Sequence, residues 1–320
     1  MQKKNNPVIN VFTEKLIFFG GVTRSGKSFL GPILSSFKKT EMFICDSAAE
    51  NIYHLNFLKM IKHDQAKYLF KHIYNEKIYN LNIGRNLNRK NSDYSSIKKN
   101  KNKNLYYQRE RSSKEGDIKI QEIKKEKNNY PIFFHDILIN PSFIFASFPK
   151  TKLIFIERHP IDLIFEWKNK RYYGQSYDNP RNTTLAFNYK NKTNYPYWCK
   201  GYEEEFHKLK NNYEKTIFLL GKLYFIQKKN YLKYKIKYNK KILLTKFESL
   251  VESTDIEIDK ISNFLNLAKS KFTKKEIKKQ RGNRSSTDPE RQIRRKEIMN
   301  NISNKYKTKL IELESLYKKK

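Results

Sequence analysis

The sequence predicts an α/β protein in which a central parallel β-sheet is flanked by helices in a three-layer sandwich. Short runs that are apolar through their middle recur along the chain, as is typical of strands covered on both faces. These runs occupy residues 15–19, 42–45, 131–134, 152–157 and 241–245. Longer stretches with apolar residues at helical spacing alternate with them. The alternation of the two patterns predicts a parallel sheet.

The predicted helices follow the periodicity of the apolar residues. The first starts at Ser28, and the others cover residues 50–79, 203–229, 256–267 and 290–317. Residues 84–129 break this pattern, because they are rich in Asn, Lys and Ser and poor in apolar residues. We expect one domain over residues 1–320, with residues 84–129 as a basic, low-complexity and mobile insertion that has no core of its own.

The charge balance attracts polyanions without selecting one. The 320 residues include 67 Lys and Arg against 32 Asp and Glu, a formal net charge of +35. Nucleic acid, anionic glycans and phosphorylated cofactors are all compatible with such a field. Lysines alternate with tyrosines over residues 228–241, a pattern that could stack bases. The excess is mostly Lys beside abundant Asn, Ile, Tyr and Phe, so a base bias in the gene explains it more simply, and nucleic acid is not the favoured partner.

The sequence shows no membrane or signal segment and no pattern for disulfide or zinc cross-links. No apolar run approaches the roughly 20 residues of a membrane helix, and residues 1–12 lack a signal-peptide core. We therefore expect a cytoplasmic protein. The two cysteines, Cys45 and Cys199, are too few for a disulfide framework or a four-thiolate zinc site.

A phosphate-binding loop is the strongest local motif. Residues 21–28 read GVTRSGKS and match G-x-x-x-x-G-K-[ST] between a predicted strand and a predicted helix. Glycines let the backbone turn its N–H groups toward an anion, and the helix adds the partial positive charge of its N-terminus. A kinase would use Ser28 and a strand-end carboxylate such as Asp46 to hold Mg²⁺. Arg158, which follows the run at 152–157, suits a second phosphate better than a metal.

Three segments together resemble the sulfotransferases that use 3′-phosphoadenosine 5′-phosphosulfate (PAPS). Residues 23–28 (TRSGKS) resemble the 5′-phosphosulfate loop of that family, and residues 153–162 (LIFIERHPID) resemble its 3′-phosphate motif. Residues 246–250 (KFESL) and 261–267 (ISNFLNL) resemble a later strand end and helix. The resemblance implies a P-loop α/β sandwich that transfers a sulfuryl group in line from PAPS to a hydroxyl or amine. It implies 3′-phosphoadenosine 5′-phosphate (PAP) as product and no metal.

The resemblance also implies the residues that hold and activate the donor. Arg24 or Lys27 would neutralise charge on the leaving oxygen. Arg158 would grip the 3′-phosphate, and a basic loop late in the chain, with Arg281 and Arg284, would cover it. The loop residues expected to bind the donor are Gly21, Thr23, Arg24, Ser25, Gly26, Lys27 and Ser28.

His135 is the candidate general base. It ends the apolar run at 131–134 and lies 158 − 135 = 23 residues before Arg158, about where family members with a histidine base place it. An unperturbed imidazole suits proton transfer at neutral pH. Asp136 either orients His135 or replaces it, and a strand-end histidine without catalytic role is the simpler alternative. His159 is expected in local packing. The remaining histidines are expected on the solvated surface: His54, His63, His72 and His207.

Two regions fit the family less closely. Glu166 stands where the family usually has a serine that binds the 3′-phosphate, so we expect Glu166 to pair with Lys168, Lys170 or Arg171, or the phosphate to be held differently. The loop region 172–201 is expected to contact the acceptor through residues 172–174, residues 178–183 and Trp198. A glycan or a small hydroxylated molecule is the expected acceptor class. Two alternatives stay open: an Mg-ATP-dependent P-loop kinase, and a nucleic-acid-binding protein with a vestigial loop.

Overall fold

The structure is a computed structural model that describes residues 8–174, 177, 179, 182–191 and 193–319. In these residues a parallel five-stranded sheet forms the centre, with strand order β2-β3-β1-β4-β7. A separate antiparallel hairpin joins β5 and β6. The strands are β1 (Leu16–Gly21), β2 (Ile44–Cys45), β3 (Tyr130–His135), β4 (Lys152–Glu157), β5 (Ala186–Tyr189), β6 (Thr193–Pro196) and β7 (Ile242–Lys246).

Helices fill the connections between the parallel strands and follow the last of them. They are α1 (Lys27–Leu34), α2 (Ser47–Phe57), α3 (His63–Ile83), α4 (Lys103–Arg111), α5 (Gly116–Glu126), α6 (Pro141–Ser147), α7 (Pro160–Asn169), α8 (Glu203–Lys208), α9 (Asn212–Lys237), α10 (Phe247–Glu252), α11 (Thr254–Leu265), α12 (Thr273–Lys279), α13 (Asp288–Asn300) and α14 (Asn304–Lys318). Short 3₁₀ turns occur at Ile97–Lys99 and Tyr197–Cys199. Within the described ranges, none of the helices combines the length and the apolar character needed to span a bilayer.

The core lies on both faces of the sheet. Successive side chains of a strand point to opposite faces, and Phe18 and Phe19 of β1 accordingly enter two separate apolar clusters. Phe18 packs edge-on against Phe134, whereas Phe19 packs edge-on against Phe133. The predicted three-layer α/β arrangement is therefore confirmed.

The structure differs from the predicted elements mainly in the connections. The helix predicted over 203–229 divides into α8 and α9, and the one predicted over 290–317 divides into α13 and α14. The predicted loop 172–201 contains the β5–β6 hairpin. The two helix breaks are short turns, over residues 209–211 and 301–303, which the apolar periodicity of a longer window does not reveal.

Residues 84–129 contain more structure than their composition predicts. They form α4 and α5, and Ile97 and Tyr106 are fully buried in the larger apolar cluster. Arg109 of α4 makes a buried ion pair with Glu41 at 2.8 Å, and the Tyr106 hydroxyl donates to the same carboxylate at 2.8 Å. A few well-placed side chains thus attach this basic segment to the shared core.

Candidate functional site

The phosphate loop follows β1 and leads into α1. Arg24 and Gly26 both adopt positive φ values, of 74° and 106°. A Cβ atom at Gly26 would lie 2.3 Å from the Phe247 ring, so both the backbone conformation and the close approach of that ring call for glycine. The Ser25 N–H donates to the carbonyl oxygen of Val22 and closes the turn. In the first turn of α1 the Phe29 N–H already donates to the carbonyl oxygen of Gly26, whereas the amides of Lys27 and Ser28 precede that bond and are available to an anion.

The Lys27 side chain stabilises the backbone of the loop. Its Nζ donates to the carbonyl oxygens of Gly21 and Val22, both at 2.8 Å, and the side chain is buried. Burial lowers the pKa of Lys27 to about 8, against the opposing charges of Asp136 and Glu50. In this conformation Lys27 holds the loop backbone, and Arg24 is the loop cation that lines a cavity.

A cavity of about 280 Å³ opens beside the loop. We call it the arginine cavity, and it is lined by Arg24, Gly26, Ser28, Phe29, Tyr94, Arg158, Glu166, Phe247, Gln280 and Arg284. Arg24 follows β1 and Arg158 follows β4. Because these strands are parallel neighbours in the sheet, their carboxyl ends meet at one edge. The sequence prediction placed both arginines at strand ends, and the topology brings them into one cavity.

Arg158 is the centre of this cavity. Its Nη1 donates to the carbonyl oxygen of Arg24 at 2.9 Å, and its guanidinium lies 4.6 Å from the centre of the Phe247 ring. Arg284 approaches the same ring at 5.8 Å. The Nε of Arg158 and the Oγ of Ser25 are buried and have no hydrogen-bond partner in the described part of the chain. A buried, unsatisfied guanidinium nitrogen beside further cations is what an anion site requires, whereas Ser25 is not among the residues that line this cavity.

Glu166 adds a negative charge to the arginine cavity. The structure gives it an ion pair with Arg24, 3.7 Å between Oε2 and Nε, which the sequence analysis did not anticipate. The carboxylate faces the same space as Arg158, so a bound phosphate has to share Arg24 with it.

The late basic segment contributes one of its two predicted arginines. Arg284 lines the arginine cavity, whereas the exposed Arg281 is not among the described residues that line it. Gln280 lies there instead. The sequence analysis did not single out Gln280, Tyr94 or Phe247 for this cavity. Gln280 begins the late basic segment and Phe247 belongs to the KFESL segment, so both lie beside residues that carry the resemblance, whereas no sequence signal points to Tyr94.

The carboxyl-terminal helices are tied to the arginine motif. Asp162, in the first turn of α7, accepts from Nε of Arg291 at 3.0 Å and from Nη1 of Arg294 at 2.8 Å. The contact holds α13 against α7. Asp162 therefore anchors the helix that follows Arg158 and does not enter the cavity lining.

A second cavity, of about 180 Å³, lies next to the first. We call it the histidine cavity, and it is lined by Thr23, Glu50, His54, His135, Asp136, Trp167, Tyr172, Tyr177, Asn182, Thr183, Thr184 and Trp198. Thr23 lines this cavity while its neighbour Arg24 lines the other, and the same holds for Trp167 and Glu166. The Trp167 Nε1 donates to the carbonyl oxygen of Thr23 at 2.8 Å. The phosphate loop and α7 therefore form the wall that the two cavities share.

Part of the predicted acceptor segment contributes to this lining. Tyr172, Asn182, Thr183 and Trp198 are among the lining residues. Asp178, Pro180 and Arg181 lie outside the described residues.

His135 lies at the end of β3 and contacts Glu50 of α2. Its Nδ1 is 2.9 Å from Oε2 of Glu50, and its backbone N–H donates to Oε1 at 3.0 Å. Glu50 is buried. Burial alone would raise the pKa of Glu50, but the charge and hydrogen bonds of His135 hold it below its usual value. The sequence analysis did not find Glu50, because it precedes His135 by 85 residues on a different element.

The environment of Asp136 differs from that of Glu50. Asp136 is buried, and it accepts from the Tyr197 hydroxyl at 3.0 Å and from Gln227 at 3.4 Å. Burial raises the pKa of Asp136 to about 6. The carboxylate that contacts the His135 ring is that of Glu50.

The prediction of a solvated surface position is wrong for His54. Its side chain is buried one helical turn after Glu50, and its ring stacks on Tyr197 at 3.9 Å between centroids. Burial lowers the pKa of His54 to about 3, and neither ring nitrogen has a partner among the described residues. The stretch around His54 is polar overall, so its composition does not show that this one position faces the interior. His159 is in local packing, where its Nδ1 accepts from Ile161 N–H at 3.3 Å. The remaining histidines are exposed: His63, His72 and His207.

Residues considered for the alternative functions have structural partners. Asp46 caps α2 through the Ala49 N–H and pairs with Lys77 at 2.9 Å. At the start of the Lys and Tyr stretch, Lys228 is buried and pairs with Glu157 at 2.9 Å. Asp46 is therefore already used in helix capping, and this stretch begins on an inward face of α9.

Comparison with known proteins yields similarity in fold. No protein-family model matches the chain, and no curated protein matches it. The sulfotransferase domain from the Synechococcus PCC 7002 olefin synthase is 11% identical, with 100% of this chain and 99% of that chain covered and a TM-score of 0.48. The sulfotransferase domain from the curacin biosynthetic pathway is 12% identical over 80% and 75% of the chains, with a TM-score of 0.42.

Sulfotransferase STF1 from Mycobacterium tuberculosis H37Rv is a third similar structure. It is 8% identical over 96% of this chain and 77% of that chain, with a TM-score of 0.44. Similarity at this level concerns the fold, and the function depends on the residues of the two cavities.

Proposed function

We propose that the protein is a sulfotransferase that moves a sulfuryl group from PAPS to a hydroxyl or amine in line and without a metal, in the cytoplasm. One observation carries the proposal. Arg24 and Arg158, which follow two different strands, line one cavity, and Nη1 of Arg158 donates to the backbone carbonyl oxygen of Arg24 at 2.9 Å. A donor with phosphates at two positions needs cations from two elements in one site.

The arginine cavity suits a doubly phosphorylated nucleotide. The first-turn amides of α1 and Arg24 would hold the 5′-phosphosulfate, and Arg158 with Arg284 would hold the 3′-phosphate. The unpartnered Nε of Arg158, which lines the cavity, is a donor that such a ligand would satisfy. Arg281 lies outside this lining, so we assign the late basic contribution to Arg284.

The histidine cavity suits the acceptor. Sulfuryl transfer, like phosphoryl transfer, leaves the protein mainly to position the reactants and stabilise charge. His135 would take the acceptor proton, and Arg24 would stabilise the charge that develops on the leaving phosphate. Lys27 would keep the loop in shape from beneath. A glycan or a small hydroxylated molecule is the acceptor class we propose.

Two other functions make different predictions. A P-loop kinase would use Lys27 and Ser28 with Mg-ATP, but Asp46 is occupied as a helix cap. A nucleic-acid-binding protein would use surface charge, and its salt-dependent binding would survive removal of Arg24 and Arg158.

The test compares ligands by thermal shift, because a ligand that binds only the folded state raises the Tm. PAP, AMP and Mg-ATP, with and without EDTA, are each added to the wild type, to Arg158→Ala and to the control Arg85→Ala. Arg85 makes an exposed ion pair with Glu115 outside both cavities.

We expect PAP to raise the Tm of the wild type, with or without EDTA. Arg158→Ala should lose this stabilisation and Arg85→Ala should keep it. A preference for Mg-ATP that EDTA abolishes would select the kinase. Absence of any nucleotide effect, with salt-dependent binding to DNA or RNA in both variants, would select the third function.

A further inference from the structure

We propose that Glu50 is a positioning residue that holds His135 with its proton on Nδ1 and leaves Nε2 as the atom that accepts the acceptor's proton. The inference rests on the proposed function, since it names the proton acceptor of that reaction. Nothing in the sequence pattern links Glu50 to His135, and the contact exists because α2 follows β2, which lies beside β3 in the sheet.

The carboxylate of Glu50 is fixed independently of the imidazole ring. Oε1 accepts from the backbone N–H of His135 at 3.0 Å, so the carboxylate is anchored to the strand end itself. Oε2 then meets Nδ1 at 2.9 Å, and Oε1 lies 3.2 Å from the same nitrogen. A carboxylate attached to backbone on one side and to the ring on the other sets the direction of the ring.

The ionisation of Glu50 decides which ring nitrogen carries the proton. Its side chain is 8% exposed and lies in the first turn of α2, where the helix dipole favours an anion. Although burial opposes ionisation, the His135 charge and hydrogen bonds hold the pKa of Glu50 low. An ionised carboxylate only accepts hydrogen bonds, so in the neutral ring Nδ1 must be the donor. Nε2 then carries the lone pair on a ring that is 29% exposed and lines the histidine cavity.

The other ionisable groups around the ring are engaged elsewhere. Lys27 donates to two loop carbonyls, and Asp136 accepts from Tyr197 and Gln227. His54, on α2, is held neutral by burial. Cys45, at the end of β2, is exposed at the surface, and it stays a thiol because partial desolvation and the carboxylates of Glu50 and Asp46 raise its pKa. Within the described residues, Glu50 is the charged group that hydrogen-bonds the ring.

The proton balance of the transfer follows from this arrangement. The acceptor O–H bond breaks, its proton moves to Nε2, and the acceptor oxygen forms the new bond to sulfur. The bond between sulfur and the bridging phosphate oxygen breaks, and PAP leaves with that electron pair. His135 becomes an imidazolium beside the Glu50 carboxylate, which compensates the new positive charge.

The first experiment measures the tautomer directly and needs no donor. In protein with ¹⁵N-labelled histidine, assigned with a His135→Gln variant, the ring nitrogen shifts of His135 identify which nitrogen is protonated in the neutral state. We expect Nδ1–H in the wild type and in the control Glu76→Gln, an exposed glutamate on α3. In Glu50→Gln we expect a shift toward Nε2–H, because the amide can donate to Nδ1. An Nε2–H tautomer in the wild type, or an unchanged tautomer in Glu50→Gln, would overturn the proposal.

The second experiment measures turnover against pH. For Glu50→Gln we expect kcat to fall by about 10²–10⁴-fold, with little change in KM for the donor. The acid limb of the pH profile should move to lower pH, because the imidazolium loses its counter-charge. Glu50→Asp keeps the charge and should recover part of kcat. If Glu50→Gln does not fold, the tautomer of the wild type alone decides, and Nε2–H there overturns the proposal. An unmoved acid limb would contradict the proposal. A wild type with Nδ1–H but no sulfuryl transfer would refute the proposed function and leave the role of Glu50 in orienting the ring intact.

Discussion

Oε2 of Glu166 lies 3.7 Å from Nε of Arg24, so a carboxylate and a guanidinium from two different elements face each other inside the arginine cavity. Both side chains are more than a quarter exposed, at 33% and 40%, so the pair itself stabilises the fold little. Its main effect is electrostatic, since it sets a negative charge where phosphate would bind.

Replacement of Glu166 should therefore strengthen anion binding. We expect Glu166→Gln to lower the Kd for PAP about 3–10-fold, which corresponds to roughly 1 kcal/mol. Isothermal titration calorimetry of PAP measures this, with Glu204→Gln as the matched loss of an exposed carboxylate that pairs with Lys208. A higher Kd for PAP in Glu166→Gln, that is weaker binding, would show that Glu166 orients Arg24 for the ligand.

Phe247 should support the two arginines that we propose for the 3′-phosphate. Its ring lies 4.6 Å from the Arg158 guanidinium and 5.8 Å from that of Arg284. Cation–π contacts at such exposed sites contribute about 0.5–1 kcal/mol each. Phe247→Leu should weaken PAP binding about 3–10-fold in the same titration, whereas Phe225→Leu, on the exposed side of α9, should not. Equal affinity in the two variants would remove Phe247 from the site.

The buried Glu41–Arg109 pair should hold residues 84–129 to the core. Arg109→Met leaves the Glu41 carboxylate buried without its cation, and removal of one partner of a buried pair costs about 3–5 kcal/mol. Urea unfolding should show this loss, and Arg85→Met, at an exposed pair, should cost about 0.5 kcal/mol or less.

The double variant provides the control for that prediction. Glu41→Leu with Arg109→Met removes both charges and should recover part of the stability. Limited proteolysis should cut residues 84–129 faster in Arg109→Met than in the wild type. Equal cleavage rates would indicate that the segment is mobile already, as its composition predicts.

Asp136 should make stability depend on pH in a defined direction. Its folded pKa of about 6 lies above the ordinary value of 3.8, so the folded state binds this proton more tightly than the unfolded chain does. The group therefore lowers stability progressively as the pH rises from about 4 to 6, and the full cost remains above that range. Asp136→Asn, neutral throughout, should gain up to about 3 kcal/mol relative to the wild type over this window.

Urea unfolding at pH 4, 5, 6 and 7 measures this difference, with Asp117→Asn as an exposed control on α5. A constant difference between Asp136→Asn and the wild type at all four values would mean that Asp136 does not titrate there.

Local patterns were sufficient for the sheet and for the loop. The apolar run before Gly20 predicts β1 because a strand buried on both faces has no polar alternation. The glycine spacing predicts the loop because Gly26 takes a φ of 106°, which residues with a side chain rarely adopt. Arg158 was predicted by its position after a strand. Parallel strands deliver their carboxyl ends to one edge, so its meeting with Arg24 followed once the strands were neighbours.

Partners across the sheet were beyond the reach of these patterns. Glu50 and His54 lie on a polar amphipathic helix, where inward and outward positions differ only by rotation about the helix axis. Which residue they meet depends on β2 lying beside β3, a strand order that no local spacing encodes. Composition likewise described residues 84–129 as unstructured, because it averages over the segment and misses single side chains such as Tyr106 and Arg109 that reach the core.

The sequence by itself determined the α/β class, the glycine loop after β1 and the strand-end positions of Arg158 and His135. Each of these depends on neighbours along the chain, and the chain fixes their geometry within a few residues. Only the tertiary structure decided that Glu50 contacts His135, that Glu166 faces Arg24, and that Arg284 rather than Arg281 lines the cavity. Those contacts join residues far apart in sequence, and they exist only after strand order and helix rotation are set by burial of the two apolar clusters.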